Sequence, residues 1–361
     1  MPNDSVRLTI GGSTYEGWKS IAVSLSLAQL CGTFELVTTD RFPGQPGRYN
    51  FRLGQRCAVS LRGQTVITGY LEEIEPSYDK GNHEITLRGR DATCDLVDCS
   101  HVGPPSQWNG QSLPQICREV CRPFGISVGL EAAQGAPFES VKTNEGDTVS
   151  AFIVRLCRQR GVLPLTYGDG GLVLSRAGAR GRGGALVLGD NLLKGSVNHN
   201  NRERFSRYLV KAQGTRAAQP AETLTEEEAA LYRASYTSPV FEAGDAVIVR
   251  YRPLVVLAET KATQSDCEAR ANWEAGVRAG RSRWASYAVQ GWGPDNAGLW
   301  RINTIVPVTD GLISTSGDWL LEGVTYRMDT EGGTRSELRL AHPDAYLAQP
   351  AKAGGITGGF D

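Results

Sequence analysis

Trp284 to Thr309, WASYAVQGWGPDNAGLWRINTIVPVT, decides how the chain is read. Ala285, Tyr287 and Val289 alternate with Ser286, Ala288 and Gln290, the period-two pattern of a half-buried strand. Gly291 to Gly298 then supplies turn residues in succession. Leu299 to Val308 resumes the alternation, with Ile302, Thr304 and Val306 on one face and Arg301, Asn303 and Ile305 on the other. Two β runs about a Gly/Pro/Asn-rich reversal predict a long hairpin. Trp292 and Trp300 flank its turn. They either cap the end of a barrel or serve as partner-interface anchors, since tryptophan suits both places. The stretch holds no nucleophile motif, metal box or phosphate loop.

Upstream of this stretch, Thr263 to Arg281 predicts a helix, because Cys267, Arg270, Ala271, Trp273, Glu274 and Val277 fall at three-to-four spacing. Before it, Leu192–Asn198, Phe205–Gln213 and Val247–Tyr251 read as strands. A polar excursion, 214–239, includes the acidic turn Glu226, Glu227 and Glu228. Downstream, Gly317–Met328 and Arg335–Leu340 form a further strand pair, and the Gly-rich 349–361 reads as a flexible tail.

The first hundred residues are also β. Val6, Leu8 and Ile10 alternate; so do Ile21, Val23, Leu25 and Leu27; Phe34 and Leu36 point inward. With Cys57–Leu61, Thr65–Ile74 and Glu84–Gly89, six short strands with close turns predict a small barrel or sandwich. Long strands with polar outer faces can also close a ring between subunits. Around residue 100 the period changes. Ser112 caps a helix from Leu113 to Phe124, ended by Gly125. A second helix runs from Asp147 or Thr148 to Arg160, and Gly168–Gly171 turns a hairpin into Leu172–Ser175. GARGRGG at 178–184 reads as a flexible basic linker. It lacks the Lys-Ser/Thr end and following helix of a phosphate loop.

The fold class is therefore α+β and β-dominated. The expected domains are 1–99 (β), 100–178 (small α+β), 179–345 (β, with helix 263–281 and insertion 214–239) and a tail, 346–361.

Composition sets the remaining bounds. The chain has 361 residues, 40% hydrophobic and 21% charged, the profile of a globular chain. No apolar run approaches the ~18 residues of a spanning helix, so no membrane insertion is expected. MPNDSVRLTI has no basic start and no long apolar core, which predicts folding in a cytoplasm without a signal peptide. A net charge of −1 argues against a dedicated nucleic-acid binder. Eight cysteines are then expected as buried free thiols. Cys117 and Cys121, with Cys94, Cys99 and His101, are the candidate metal ligands, but their spacing fits no common zinc box. No cofactor is expected. A glycoside hydrolase needs two carboxylates across a cleft. Glu72, Glu73 and Glu75 lie on one strand and are expected on alternating faces, so they do not supply that pair.

Several stretches, in this order, resemble the baseplate hub proteins of contractile-tailed phages, the hub of phage Mu and its late-control relatives. They are Gly17-Trp18; Gly32-Thr33-Phe34-Glu35-Leu36; Leu113 to Cys117 with Pro123 to Ile126; Asn191-Leu192-Leu193 before Glu203 to Tyr208; Arg252-Pro253-Leu254; Gly291-Trp292; Leu299-Trp300; and Gly332 to Thr334 before Leu338. The resemblance spans nearly the whole chain. It implies two tube-type β-barrel domains flanking the small α+β domain, and a homotrimer that forms a ring of six similar domains. One side would meet the tail tube protein and the other the central spike protein, among other baseplate proteins, with DNA passing through the lumen without specific binding. It also implies a structural protein of the virion tail, assembled in the host cytoplasm, and not an enzyme. The alternatives are a tail-associated cell-wall hydrolase or a glycan-binding module at 100–178. Ile356 and Phe360, the large apolar residues of the tail, join Trp292 and Trp300 as partner-interface candidates.

Overall fold

The computed structural model describes residues 5–39, 51–81, 83–133, 135–212, 240–257, 264–295 and 298–347. The excursion 214–239 and the tail with Ile356 and Phe360 lie outside the described residues.

The chain divides into two compact units, Met1–Asn198 with Trp284–Pro343, and His199–Arg283 with Asp344–Asp361. The first begins with β1 (Val6–Ile10), β2 (Ser13–Tyr15), β3 (Ser20–Ser26), β4 (Thr33–Thr39), β5 (Arg56–Leu61), β6 (Gln64–Tyr78) and β7 (His83–Asp91). Burial alternates strictly along β1, β3 and β4: Val6, Leu8 and Ile10 are inside, as are Ile21, Val23, Leu25, Phe34 and Leu36. The expected strands and their inward faces are therefore present.

The middle of the same unit holds α1 (Cys94–Asp98), β8 (Gln107–Gln111), α2 (Leu113–Cys121), β9 (Val128–Leu130), β10 (Phe138–Lys142), α3 (Val149–Arg160), β11 (Leu163–Leu165) and β12 (Leu172–Ser175). At the start of α2, Gln115 Oε1 accepts from the Ser112 backbone N–H at 2.9 Å, half of a capping box. Thr148 Oγ1 caps α3 by accepting from Ala151 N. Gly125 and Gly161 end the two helical segments in the left-handed region, at φ 67° and 62°, where glycine carries no Cβ penalty. Leu113, Ile116, Val120, Val149, Phe152, Ile153 and Leu156 close a core of their own around Trp108.

β13 (Leu186–Val187) and β14 (Leu192–His199) follow, and after the second unit come β18 (Arg283–Gln290), β19 (Ile305–Asp310), β20 (Thr315–Asp329) and β21 (Gly333–Ala341). These strands and β1–β7 belong to one 13-stranded sheet with the path β14-β18-β21-β20-β3-β4-β7-β6-β5-β1-β2; β19 joins β20, and β13 joins β19. Strands from both ends of the chain thus meet at the β20–β3 pairing, where Ser24 and Thr325 hydroxyls lie 2.9 Å apart.

The second unit is smaller. β15 (Arg207–Lys211) lies between β16 (Val240–Gly244) and β17 (Pro253–Leu257), antiparallel to the first and parallel to the second. Tyr208, Val210 and Ala243 pack with Cys267 and Ala271 of α4 (Gln264–Arg281). Glu274 on that helix is buried between Arg270 and Arg278, one turn to either side, at 2.8 and 3.0 Å.

Three expectations are corrected. The long hairpin does not form. β18 pairs with β21 and β19 pairs with β20. Alternation fails between Leu299 and Thr304 because Leu299, Trp300, Ile302, Asn303 and Thr304 are all buried and Asn303 sits at φ 66°. The chain there is a packed loop, and the strand resumes only at Ile305. Second, Val247–Tyr251 is a turn and loop: Asp245 O accepts from Ile248 N and Asp245 Oδ1 from Val247 N, so the strand begins at Pro253. Third, 178–184 is pinned rather than flexible. Arg180 N donates to Asn303 O, Gly183 N to Ile305 O at 2.8 Å, and Arg182 forms a two-bond pair with Asp318.

Candidate functional site

The inward residues of the shared sheet are apolar, so its other face carries whatever the fold presents. Cross-strand register gives that face row by row. One row runs Gln290, Arg335, Arg327, Ala22, Glu35, Arg88, Glu73. Its neighbour runs Ala288, Glu337, Thr325, Ser24, Thr33, Arg90, Tyr70. Seven adjacent strands, β18-β21-β20-β3-β4-β7-β6, therefore share one polar face. Small residues occupy its middle and arginines lie to either side.

The five arginines of these rows and the adjoining Arg339 position are all met by carboxylates. Arg88 bonds Glu35, Glu73 and Glu75, each at 2.7 Å. Arg90 bridges Glu72 and Asp98. Arg327 pairs with Glu337 at 2.8 Å, Arg335 with Asp329 at 2.7 Å and Arg339 with Glu322 at 2.6 Å. The hydrogen bond from Arg90 holds Asp98 below the usual carboxylate range, and the one from Arg335 does the same to Asp329. Exposed pairs of this kind add little stability. What they do is cancel charge locally on these seven strands; on β5 the second row continues from Tyr70 to Arg56, an exposed arginine with no ion pair among the described residues.

Glu72, Glu73 and Glu75 were expected on alternating faces. A register shift between Leu71 and Glu73 inserts one residue opposite β7, and all three side chains reach arginines of the same face. A bulge re-aims side chains in this way. Each carboxylate is engaged in an ion pair.

The tryptophans also need correction. Trp292 and Trp300 are almost wholly buried in the main core. Trp292 Nε1 donates to Arg327 O at 3.0 Å, Trp300 N donates to Trp292 O, and the Tyr326 hydroxyl donates to Trp300 O. They brace the loop from inside rather than project as anchors, and only an edge of Trp300 borders a surface cleft. Of the candidate metal ligands, Cys117 and Cys121 are buried, and His101 Nε2 lies 2.8 Å from Pro105 O. No group of three or more His, Cys, Asp or Glu side chains among the described residues is placed to hold a metal. A hydrogen bond between the Cys117 and Cys157 side chains, reinforced by burial, raises Cys117 well above the ordinary thiol range.

Asn303 is a residue whose role the sequence pattern hid. Its Oδ1 accepts from Gly178 N at 2.8 Å, and its Nδ2 donates to Arg176 O at 3.0 Å and Ser175 Oγ at 3.1 Å. An asparagine amid buried apolar residues at a break in alternation is the signal that marks it.

The comparisons with known proteins define the class: the chain is similar throughout to proteins of phage tail baseplates. Residues 5–91 match the N-terminal domain of the Mu phage baseplate assembly protein GpP-like family, 93–176 the second domain of baseplate hub protein gp44-like chains, and 263–349 the fourth domain of GpP. Baseplate hub protein gp44 of Escherichia phage Mu is 30% identical over 99% of this chain and 95% of its own length. The 43 kDa tail protein of prophage MuSo2 from Shewanella oneidensis superposes with a TM-score of 0.81 at 34% identity, covering 96% of this chain and 100% of that one. A tail protein from Neisseria meningitidis shares the fold, with a TM-score of 0.78 at 20% identity over 96% and 98% of the two chains. The chain belongs to the Mu-type baseplate hub family, and its place is the phage tail.

Proposed function

We propose that this hub is a homotrimeric ring that joins the hexameric tail tube to the trimeric central spike, and that the polar sheet face lines the passage for DNA. The observation that carries the reading is the pairing of every arginine of the two rows on those seven strands with a carboxylate. A lumen that lets DNA through must not hold phosphates, and each lysine or arginine free to contact one strengthens binding by counterion release. The sequence-based domains, 1–99, 100–178 and 179–345, enter this proposal with the first and third as tube-type barrels. Support comes from β strands of both segments sharing one sheet while 96–174 keeps a core of its own. The protein acts without catalysis and without a cofactor in the contractile tail, assembled in the host cytoplasm and used at genome ejection.

Sedimentation at micromolar concentration tests the oligomer: a trimer is expected, and a clean monomer overturns the ring. Retention of duplex DNA tests the passage. The wild-type trimer should not retain DNA at physiological salt. The Glu35→Gln, Glu73→Gln, Glu75→Gln variant, which strips Arg88 of its partners, should retain it with a log K against log salt slope steeper by up to ~0.9 per freed arginine. Equal retention by both proteins argues against the polar face as the lumen.

A further inference from the structure

A second charged feature has arginines that are not all cancelled. The pinned loop 180–184, with Pro294 and residues 299–304, borders a cleft of about 290 Å³. Arg180, Arg182 and Arg301 line it, above an apolar floor of Pro294, Leu299 and Trp300. Arg182 is satisfied by Asp318 at 2.7 Å. Arg180 and Arg301 have no ion pair among the described residues. The Arg180 guanidinium is instead stacked on the Tyr167 ring, 3.3 Å from its centroid, and Arg301 Nη2 donates to Gln64 Oε1 at 3.1 Å. Three cations with one carboxylate leave two uncompensated positive charges at one cleft.

The walls are preorganised. Arg180 N and Gly183 N are bonded to Asn303 O and Ile305 O. Gly184 packs so closely that a Cβ there would fall 2.1 Å from Pro294 Cβ. Guanidiniums fixed by stacking and backbone bonds lose little freedom on binding, which favours planar, charge-assisted recognition of an oxyanion.

We propose that this cleft is a carboxylate socket that receives an acidic peptide segment, an Asp or Glu next to an apolar residue, presented by a neighbouring protein of the tail. The assignment of the source to a tail neighbour rests on the hub reading; the chemistry of the socket does not. Two features favour peptide over nucleic acid. An apolar floor directly beside the guanidiniums suits alternating acidic and apolar side chains. A phosphate backbone instead calls for an extended basic track, and the arginines of the seven-stranded polar face are neutralised.

The test uses the full chain and its tryptophan fluorescence, with Trp300 at the cleft floor as a local reporter. The probes are a tetrapeptide alternating leucine and glutamate, its glutamine counterpart, and a short single-stranded DNA. The acidic peptide should bind saturably at or below ~1 mM. The glutamine peptide and the DNA should bind at least ~tenfold more weakly. Arg180→Gln with Arg301→Gln should weaken the acidic peptide at least ~tenfold at an unchanged melting temperature. Asp318→Asn, which releases Arg182, should tighten it severalfold, an effect that a purely structural role for these residues does not produce. Equal binding of the two peptides, or an Asp318→Asn variant that binds no better, overturns the socket. Preferential DNA binding lost in the arginine variants assigns the cleft to nucleic acid and also overturns it. Trimer formation, measured separately, reports on the hub reading alone, so either proposal can fail without the other.

Discussion

Asn303→Ala should be strongly destabilising to the first unit. The side chain is fully buried and makes three short hydrogen bonds, to Gly178 N, Arg176 O and Ser175 Oγ, and a longer one to the Tyr167 hydroxyl at 3.4 Å. Each contributes ~0.5–1.5 kcal/mol net. Ser175 keeps a bond to Glu131 at 2.6 Å, so its loss is partly offset, and the three together come to about 2–3 kcal/mol. The backbone adds a separate cost. At φ 66° asparagine is tolerated, whereas alanine carries roughly 1 kcal/mol or more of left-handed penalty. Asn303→Ala should therefore lose about 3–4 kcal/mol, and Asn303→Gly, which keeps the backbone relaxed, about 2–3 kcal/mol. Urea denaturation followed by tryptophan emission measures both. Limited trypsin digestion supplies a local readout, because freeing the 176–184 loop should expose Arg176, Arg180 and Arg182 before global unfolding. If both variants lose less than ~1 kcal/mol, the side-chain bonds are not the clasp inferred here. If alanine and glycine cost the same, the backbone argument fails.

Two further outcomes are expected. Mass spectrometry of unreduced protein should find eight free thiols, and a thiol reagent should label Cys99 first, since the other seven are buried. Burial pushes the Cys57 thiol up to about 12, so that site should react only on unfolding. On the acid side, Asp98 and Asp329 are held below the usual carboxylate range by Arg90 and Arg335. A depressed folded value gives stability that is complete above the unfolded carboxylate pKa of ~4 and is lost as pH falls through the folded value. Asp329→Asn should flatten the fall in stability below about pH 4; an unchanged slope refutes that contribution.

Much of the fold was legible because period and punctuation agreed. Strict alternation in Val6–Ile10, Ile21–Leu25 and Ala285–Val289 named the inward residues that the structure buries. The caps Ser112 and Thr148 and the stops Gly125 and Gly161 bounded α2 and α3. Errors fell where a local pattern carried two meanings. Gly291 to Gly298 reads as a hairpin turn, but turn residues show only that the chain reverses, not which strand it then joins. The partner of β18 is β21, whose inward Leu338 and Leu340 match its Tyr287 and Ala285 in register. The 178–184 glycines read as a linker because their pinning depends on Asn303, more than a hundred residues away.

The polar face was the least legible feature, and the reason is physical. Charge cancellation is a property of cross-strand neighbours, and these lie up to 53 residues apart in the chain. Arg88 finds Glu35 through β4–β7 pairing and Glu73 and Glu75 through β6–β7 pairing, while Arg327 and Glu337 meet through β20–β21. A linear reading records a near-neutral total, which is equally compatible with segregated basic and acidic patches. Those alternatives differ greatly in the field that a passing polyanion feels within about a Debye length, ~8–10 Å. Register decides between them, and a bulge at Leu71–Glu73 brings Glu72, Glu73 and Glu75 to one face where alternation alone would divide them. One residue of register in β6 therefore sets how many carboxylates Arg88 and Arg90 meet beyond Glu35 and Asp98.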